Sequence, residues 1–201
     1  LRGRVWHVSL PGLRSSPAPN LALTLMGTKT GAFAAVFSHD LAKLRYEKLR
    51  QFDALYLNNT VGMIFPSEEV RQSLLRFVRE GGGLAGNHAT PHASIDWPAF
   101  GEMFGASGGD HREPTEKVTV KLDDPNSPIN AVFAGKSAVF TDEFFRFPTP
   151  PYSRENLHVL LSFDVEKTDM NQGRNCRFCS RPDNDFAISW IRNYGKGRVF
   201  Y

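Results

Sequence analysis

The segment from Ala54 to His88 constrains this chain more than any other. Ala54-Leu55-Tyr56-Leu57 is a compact apolar run closed by a polar tip, Asn58-Asn59-Thr60. That is the pattern of a strand buried on both faces. Pro66-Ser67-Glu68-Glu69 then opens a helix, with carboxylates in the first turn where the helix dipole favours them. Val70, Leu74, Leu75 and Val78 follow at helical spacing, and Gly81 ends the run. A second apolar run, residues 84–87, comes directly after and stops at His88. Strand, helix and strand with joins this short form a βαβ unit, parallel and right-handed. In open sheets of this kind ligands bind beyond the carboxyl ends of the strands. Asn58, Asn59 and His88 therefore face the crevice.

The rest of the chain extends this pattern. Residues 4–10 alternate weakly and read as a first strand or the loop after one. Residues 11–19 carry three prolines and read as a loop. Asn20 is placed to cap a short helix over 21–26 that Gly27 ends. Residues 32–37 read as a strand and 41–52 as one short helix. Asp96 caps a further helix with Pro98 in its first turn, and Phe100, Met103 and Phe104 face inward. The glycine-rich stretch 105–109 delivers Asp110-His111. Residues 115–122 alternate strictly, which predicts a half-exposed antiparallel strand. Strands are also expected over 158–162, 186–191 and 198–201. Leu55, Leu57, Leu84, Leu160, Ile188 and Val199 are the expected sheet core. The fold class is α/β, with a mostly parallel central sheet and an antiparallel addition. The sequence opens on Leu1 rather than Met and stops inside its last strand. It reads as a single domain over 1–201, cut at both ends.

Composition narrows the function classes. The chain has 201 residues, enough for one sizeable core, and its 41% apolar and 22% charged content is that of a water-exposed globular domain. Twenty-four basic residues against 21 acidic give a net charge of +3, scattered rather than clustered, which argues against a nucleic-acid partner. No apolar run is long enough to span a bilayer as a helix. Nothing in the sequence assigns a compartment. The glycines at 81–83 lack the Lys-Ser/Thr of a phosphate loop, so no nucleotide cofactor is expected.

The chemistry-bearing residues fall into three groups: His88 with His92, Asp110-His111, and Asp142-Glu143. Imidazole exchanges protons near neutral pH, and a carboxylate beside it fixes its tautomer or accepts sugar hydroxyls. Phe140, Phe144 and Phe145 flank the Asp142-Glu143 pair, an arrangement that would desolvate it. A structural alternative pairs these carboxylates with Arg112 or Arg146. The spacing of the histidines and acids matches no compact metal motif, and no metal is expected. Cys176 and Cys179 form a lone CxxC in a polar loop, without the helix start of a redox pair or the second pair of a zinc ribbon. They read as a loop staple or two free thiols.

An ordered set of strings carries a family resemblance: GGGLAGNHAT, DWPAFGEMFGA, DHREPTEKVTV, DDPNSPI, TDEFFRF, HVLLS and AISWIRNYGKGRVFY. From about Phe52 to Tyr201 the chain resembles the ThuA-like (trehalose utilisation) family. The resemblance implies a flavodoxin-like three-layer fold related to class I glutamine amidotransferases. It also implies a small-molecule carbohydrate partner, a sugar or keto-glycoside. The family's recurrent polar positions correspond to His88, His111, Asp142 and Glu143, taken as catalytic, while Asn58, Asn59, His92 and Asp110 are assigned to substrate binding. All are expected to line one crevice. An enzyme built this way would be an acid-base isomerase, hydratase or hydrolase. The alternative is a non-catalytic sugar-binding or interaction module. Glutaminase chemistry needs a thiolate on a sharp strand-to-helix turn, and the turn here offers His88-Ala89-Thr90 instead.

Overall fold

The computed structural model describes residues 3–8, 17–112, 115–173 and 176–201. In chain order the elements are β1 (Gly3–Val8), α1 (Pro17–Thr30), β2 (Phe33–Ser38), α2 (Tyr46–Leu49), β3 (Ala54–Asn58), α3 (Glu68–Arg79), β4 (Gly83–Asn87), α4 (Pro98–Phe104), β5 (Asp110–His111), β6 (Glu116–Leu122), β7 (Ala138–Asp142), β8 (Phe145–Arg146), β9 (His158–Phe163), β10 (Ala187–Tyr194) and β11 (Gly197–Phe200). The chain divides into two compact units, one running to Asp96 and including Asn193–Phe200, the other covering Trp97–Arg192 with Tyr201.

The first unit holds the parallel strands, in the order β2-β1-β3-β4-β11. This is the flavodoxin-like order, with the chain turning one way from β1 to β2 and the other way to β3. Leu55 and Leu57 of β3, Leu84 of β4 and Val199 of β11 are buried as expected. Helix α3 forms because its apolar residues recur on one face: Val70, Leu74, Leu75, Phe77 and Val78 are all buried. Each such side chain contributes about 1.5–3 kcal/mol through burial. Ser67 Oγ accepts from Val70 N (3.3 Å) to cap the start, and Glu68 and Glu69 complement the dipole there.

Two expectations in this unit are corrected. Helix α1 spans 14 residues from Pro17 to Thr30, neither starting at Asn20 nor ending at Gly27. Prolines are tolerated in a first turn, whose N–H groups have no intrahelical partner. Residues 11–16 of the expected loop lie outside the described residues. Gly27 sits inside the helix because a Cβ there would stand 2.6 Å from the Phe33 carbonyl oxygen. It is an approach glycine, not a stop. The helix expected over 41–52 is instead a 3-10 turn at Leu41–Leu44, capped by Asp40, followed by the single-turn α2.

The second unit is antiparallel, in the order β10-β9-β6-β7, with a separate two-stranded ribbon of β5 and β8. Residues 116–122 form the expected antiparallel strand, with Val118 and Val120 buried alongside Leu160 of β9. Trp190 is fully buried and donates its indole N–H to the Phe104 carbonyl (3.0 Å), while Phe147 and Tyr201 pack against its ring. Ile188 is only half-buried, and Ala187 and Trp190 take the core positions of β10 instead. A β-bulge between Ala187 and Trp190 shifts the alternation that the sequence implied. Asp96 does not cap α4, whose N-cap is Trp97 without a side-chain bond. Its carboxylate pairs with Arg71 at 2.5 Å. Parallel strands with helical crossovers and an antiparallel addition make the chain a flavodoxin-like α/β protein, as its sequence pattern predicts.

Candidate functional site

The first cluster lies at the carboxyl ends of β3 and β4. Asn58 and Asn87 face each other across the two parallel strands. The next residues, Asn59 and His88, both hold left-handed backbone conformations, with φ of 49° and 52°. Left-handed non-glycine residues are strained and persist only where the surroundings enforce them. Here the enforcement is a network. Asn59 N donates to Asn87 Oδ1 (3.0 Å), and Thr90 Oγ1 bonds the carbonyls of Leu57 and Asn87 (3.0 and 2.8 Å). Gly86 makes room for this turn, since a Cβ on it would meet Thr90 Cγ2 at 2.5 Å. The motif Gly86-Asn87-His88-Ala89-Thr90 thus forms a sharp strand-end elbow with His88 at its apex.

The hydrogen bonds assign the His88 tautomer. Ala89 N can only donate, and its acceptor is Asn59 Oδ1 at 3.2 Å. The same oxygen is 2.7 Å from His88 Nδ1, so Nδ1 carries the proton. Nε2 is then the basic nitrogen of the ring. His92 stands on the Thr90–His92 turn, half-buried, where its carbonyl accepts from Gly62 N (3.3 Å).

The second cluster belongs to the other unit. The ribbon β5–β8 pairs His111 with Phe145 and Asp110 with Arg146. His111 Nδ1 lies 3.2 Å from Glu143 Oε1 and 3.1 Å from the Arg112 carbonyl oxygen. Both neighbours are acceptors, so this ring too bears its proton on Nδ1 and its lone pair on Nε2. The Phe145 ring meets the imidazole edge-on at 5.1 Å and fixes its plane. Asp110 is the anchor of the segment: Oδ1 accepts from His111 N (2.9 Å) and Oδ2 from Arg177 N (2.7 Å). The imidazole and the Glu143 carboxylate are 21% and 28% exposed, accessible to a ligand yet partly screened from water.

The structure separates the other expected carboxylate from this pair. Asp142 ends the edge strand β7, where it is exposed, and its Oδ1 accepts from Glu143 N (2.8 Å). Phe140, expected to desolvate it, is itself 44% exposed. Nor do Asp142 and Glu143 supply the partner of Arg146. That role falls to Glu116, buried with the guanidinium stacked over Phe163 at 4.7 Å and both carboxylate oxygens bonded by Arg146. The sequence carries the signal for this. Glu116 shares a parity with Val118 and Val120, the inward residues of an alternating strand.

Cys176 and Cys179 are joined in a disulfide. Of the two readings left open for this pair, the structure has the loop staple. Their loop provides the Arg177 N–H that holds Asp110.

A family model described as ThuA, trehalose utilisation, matches residues 5–201. The chain belongs to the ThuA family. The match reaches the first strand, beyond the stretch from Phe52 on which the sequence strings rest. Among solved structures, a ThuA-like protein from Bacteroides uniformis is 20% identical, with a TM-score of 0.75 over 98% of this chain and 80% of its own. A ThuA-like protein from Parabacteroides merdae is 16% identical, with a TM-score of 0.73 over 100% of this chain and 78% of its own. The chain also resembles 27% of a GH42 β-galactosidase from G. stearothermophilus, at 15% identity and a TM-score of 0.51 over all of this chain. At these identities the likeness is one of fold. No curated protein sequence matches the chain. Membership of the ThuA family associates it with carbohydrate metabolism.

Proposed function

We propose that this ThuA-family chain acts on a sugar or keto-glycoside by acid-base chemistry, with the His111–Glu143 pair as its working group. The observation that carries the reading is the contact between His111 Nδ1 and Glu143 Oε1 at 3.2 Å. A carboxylate on Nδ1 holds the imidazole in one tautomer and compensates the charge that forms when Nε2 accepts a proton. In a keto-sugar the carbonyl acidifies the neighbouring C–H. His111 Nε2 would remove that proton, and the resulting imidazolium would return it to a different carbon, giving isomerisation, or to a leaving oxygen, giving elimination or hydration in reverse. Asp110 keeps the base in register from behind. In the first unit, taken by itself, His88 carries the same tautomer, and Asn58 and Asn59 are hydroxyl-binding groups at the strand ends.

Glutaminase chemistry is not part of this reading. His88 occupies the apex of the elbow where that chemistry needs a thiolate, and the chain's two cysteines are bonded to each other. The neighbouring folds include a β-galactosidase, an enzyme of glycosides, and this accords with a sugar ligand.

The test is a screen of sugars and oxidised sugars by calorimetry and product analysis, repeated with His111→Ala and Glu143→Gln. A catalyst shows turnover in the wild type that H111A abolishes while binding persists. A non-catalytic binding module, the alternative, shows binding without turnover, weakened by both substitutions. Binding and turnover that both survive H111A would defeat the assignment.

A further inference from the structure

In the first unit the loop after β3 and the loop after β4 are bonded to each other along their length. Gly62 N donates to the His92 carbonyl (3.3 Å) and Ser94 N to the Gly62 carbonyl (2.7 Å), so that Gly62 and Ala93 pair as in a parallel sheet. Ser94 Oγ accepts from Phe65 N (3.2 Å) further on. Nearer the strands, Asn59 bonds Asn87, His88 and Ala89. The loop after β3 also stands where the strand order reverses, between β1 and β3, and that is where open α/β sheets bind their ligands.

Two large apolar side chains stand in solvent on these loops. Met63 and Ile95 are each 62% exposed. A lone exposed apolar residue needs no explanation, but these two are held out by their neighbours. Met63 precedes Ile64 and Phe65, both fully buried, and Ile95 follows Ala93 and Ser94, buried as well. Gly62 and Ser94 beside them hold positive φ, 80° and 46°. The left-handed serine is kept by bonds to both its backbone N–H and its side-chain oxygen. Neither Met63 nor Ile95 can turn inward without displacing these anchors. The polar groups around them exclude an ionic ligand as the intended one, since residues 58–65 and 87–95 contain no Lys, Arg, Asp or Glu. Asn59 is exposed, and because its Oδ1 accepts from His88 and Ala89, its Nδ2 is turned away from them as a donor. Amide donors and apolar side chains without charge suit a hydroxylated molecule that carries an apolar group. Methionine adapts to varied shapes, and its sulfur makes favourable contacts with aromatic rings.

We propose that these two loops bind an uncharged glycoside by its apolar aglycone, with Met63 and Ile95 against the aglycone and Asn59 Nδ2 donating to a hydroxyl. The site belongs to the first unit. It rests on the chain's association with carbohydrate and not on His111 acting as a base.

The whole chain would be titrated calorimetrically with phenyl β-D-glucoside, phenyl β-D-galactoside, the two free sugars and phenol. The same titrations would be followed by the NMR signals of the methionine methyl groups, of which Met63→Ser assigns one. At least one phenyl glycoside is expected to bind about tenfold more tightly than its free sugar and than phenol, the scale of one to two methylenes' worth of apolar surface removed from water. Its ring should shift the Met63 methyl signal, which the free sugar leaves in place. Met63→Ser and Ile95→Ser change exposed positions, so both should fold as the wild type does. Each should weaken the phenyl glycoside by about fivefold, the scale of one methylene, and leave the free sugar unchanged. Equal affinities for glycoside, sugar and phenol, an unmoved Met63 signal, or unchanged glycoside binding in both Ser variants would overturn the proposal. The Met63 shift should persist in H111A. A preference for the phenyl glycoside that H111A abolishes and the Ser variants keep would place the aglycone at His111, overturning this site while leaving the acid-base reading intact. Absence of turnover in the wild type would defeat catalysis at His111 without touching the Met63 shift.

Discussion

Asn59 and His88 follow adjacent parallel strands, both hold positive φ (49° and 52°), and their side chains meet at 2.7 Å. A left-handed non-glycine residue costs roughly 1–2 kcal/mol. His88→Gly and His88→Ala both delete the imidazole and its bond to Asn59, but only glycine relieves the strain. The Gly variant should be the more stable by about 1–2 kcal/mol. Urea midpoints of the two proteins measure this. Equal midpoints would mean that the elbow is not left-handed in solution.

Glu116 supports two guanidiniums at once, bonding Arg146 and lying 3.9 Å from Arg112. Removing one partner of a buried pair costs about 3–5 kcal/mol. Glu116→Gln removes the carboxylate that bonds Arg146 and lies beside Arg112, whereas Arg146→Met leaves that carboxylate still facing Arg112. The Gln variant is expected to lose the larger share of stability, and thermal unfolding of both reads the difference. A smaller loss in E116Q would contradict the shared arrangement.

Alkaline pH should unfold the chain through two phenols, Tyr152, which is buried, and Tyr201, which is partly buried. Burial pushes the Tyr152 hydroxyl up, helped by its hydrogen bond to Asp185 (2.7 Å), and burial alone does the same for Tyr201. The folded state therefore favours the protonated phenols. Their contribution is complete below the unfolded tyrosine value of about 10 and is lost as pH rises from there towards the raised folded values. Denaturation midpoints should fall above about pH 10, and Tyr152→Phe should flatten that fall. Midpoints independent of pH in this range would refute the assignment.

The Cys176–Cys179 staple closes a very short loop, with a sequence separation of three. Its entropic stabilisation is at most about 2 kcal/mol. The double Ser variant should fold, lose no more than this, and retain any turnover, because no thiolate takes part. Intact folding with lost turnover in that variant would bring the cysteines into the mechanism.

The parallel strands were legible in sequence because each apolar run is bounded by its own stop signal. Strand β3 ends on three polar residues, and α3 starts on Ser67 and ends at Gly81, whose φ is 124°. What escaped were features set by a distant partner. Gly27 reads as a helix stop by local rules, but the Phe33 carbonyl gives its reason. Glycine inside a helix normally costs about 1 kcal/mol relative to alanine. Gly27→Ala should here destabilise instead, since the new Cβ would lie 2.6 Å from that oxygen, and a raised melting temperature would show the helix to be looser. Asp96 likewise looks like a cap until Arg71, 25 residues earlier, claims it. At the site, the pairing of His111 with Glu143 joins two candidates that the sequence could name but not connect, across 32 positions. Asp142, its neighbour, was indistinguishable from Glu143 by residue type. Strand parity separates them, one at the exposed tip of β7 and the other beyond it.

The parallel strand β11 pairs with β4, although the two are separated by about 110 residues of chain. During synthesis, β4 can dock on β3 as soon as both have emerged, but its other edge has no partner until β11 has been made. At 5–20 residues per second that edge stays open for roughly 5–20 s. An unpaired apolar strand edge is a template for pairing with other chains. Nascent copies on one messenger are thus exposed to one another at this strand. The yield of correctly folded protein should depend on expression temperature and chaperone supply more steeply than the finished fold would suggest.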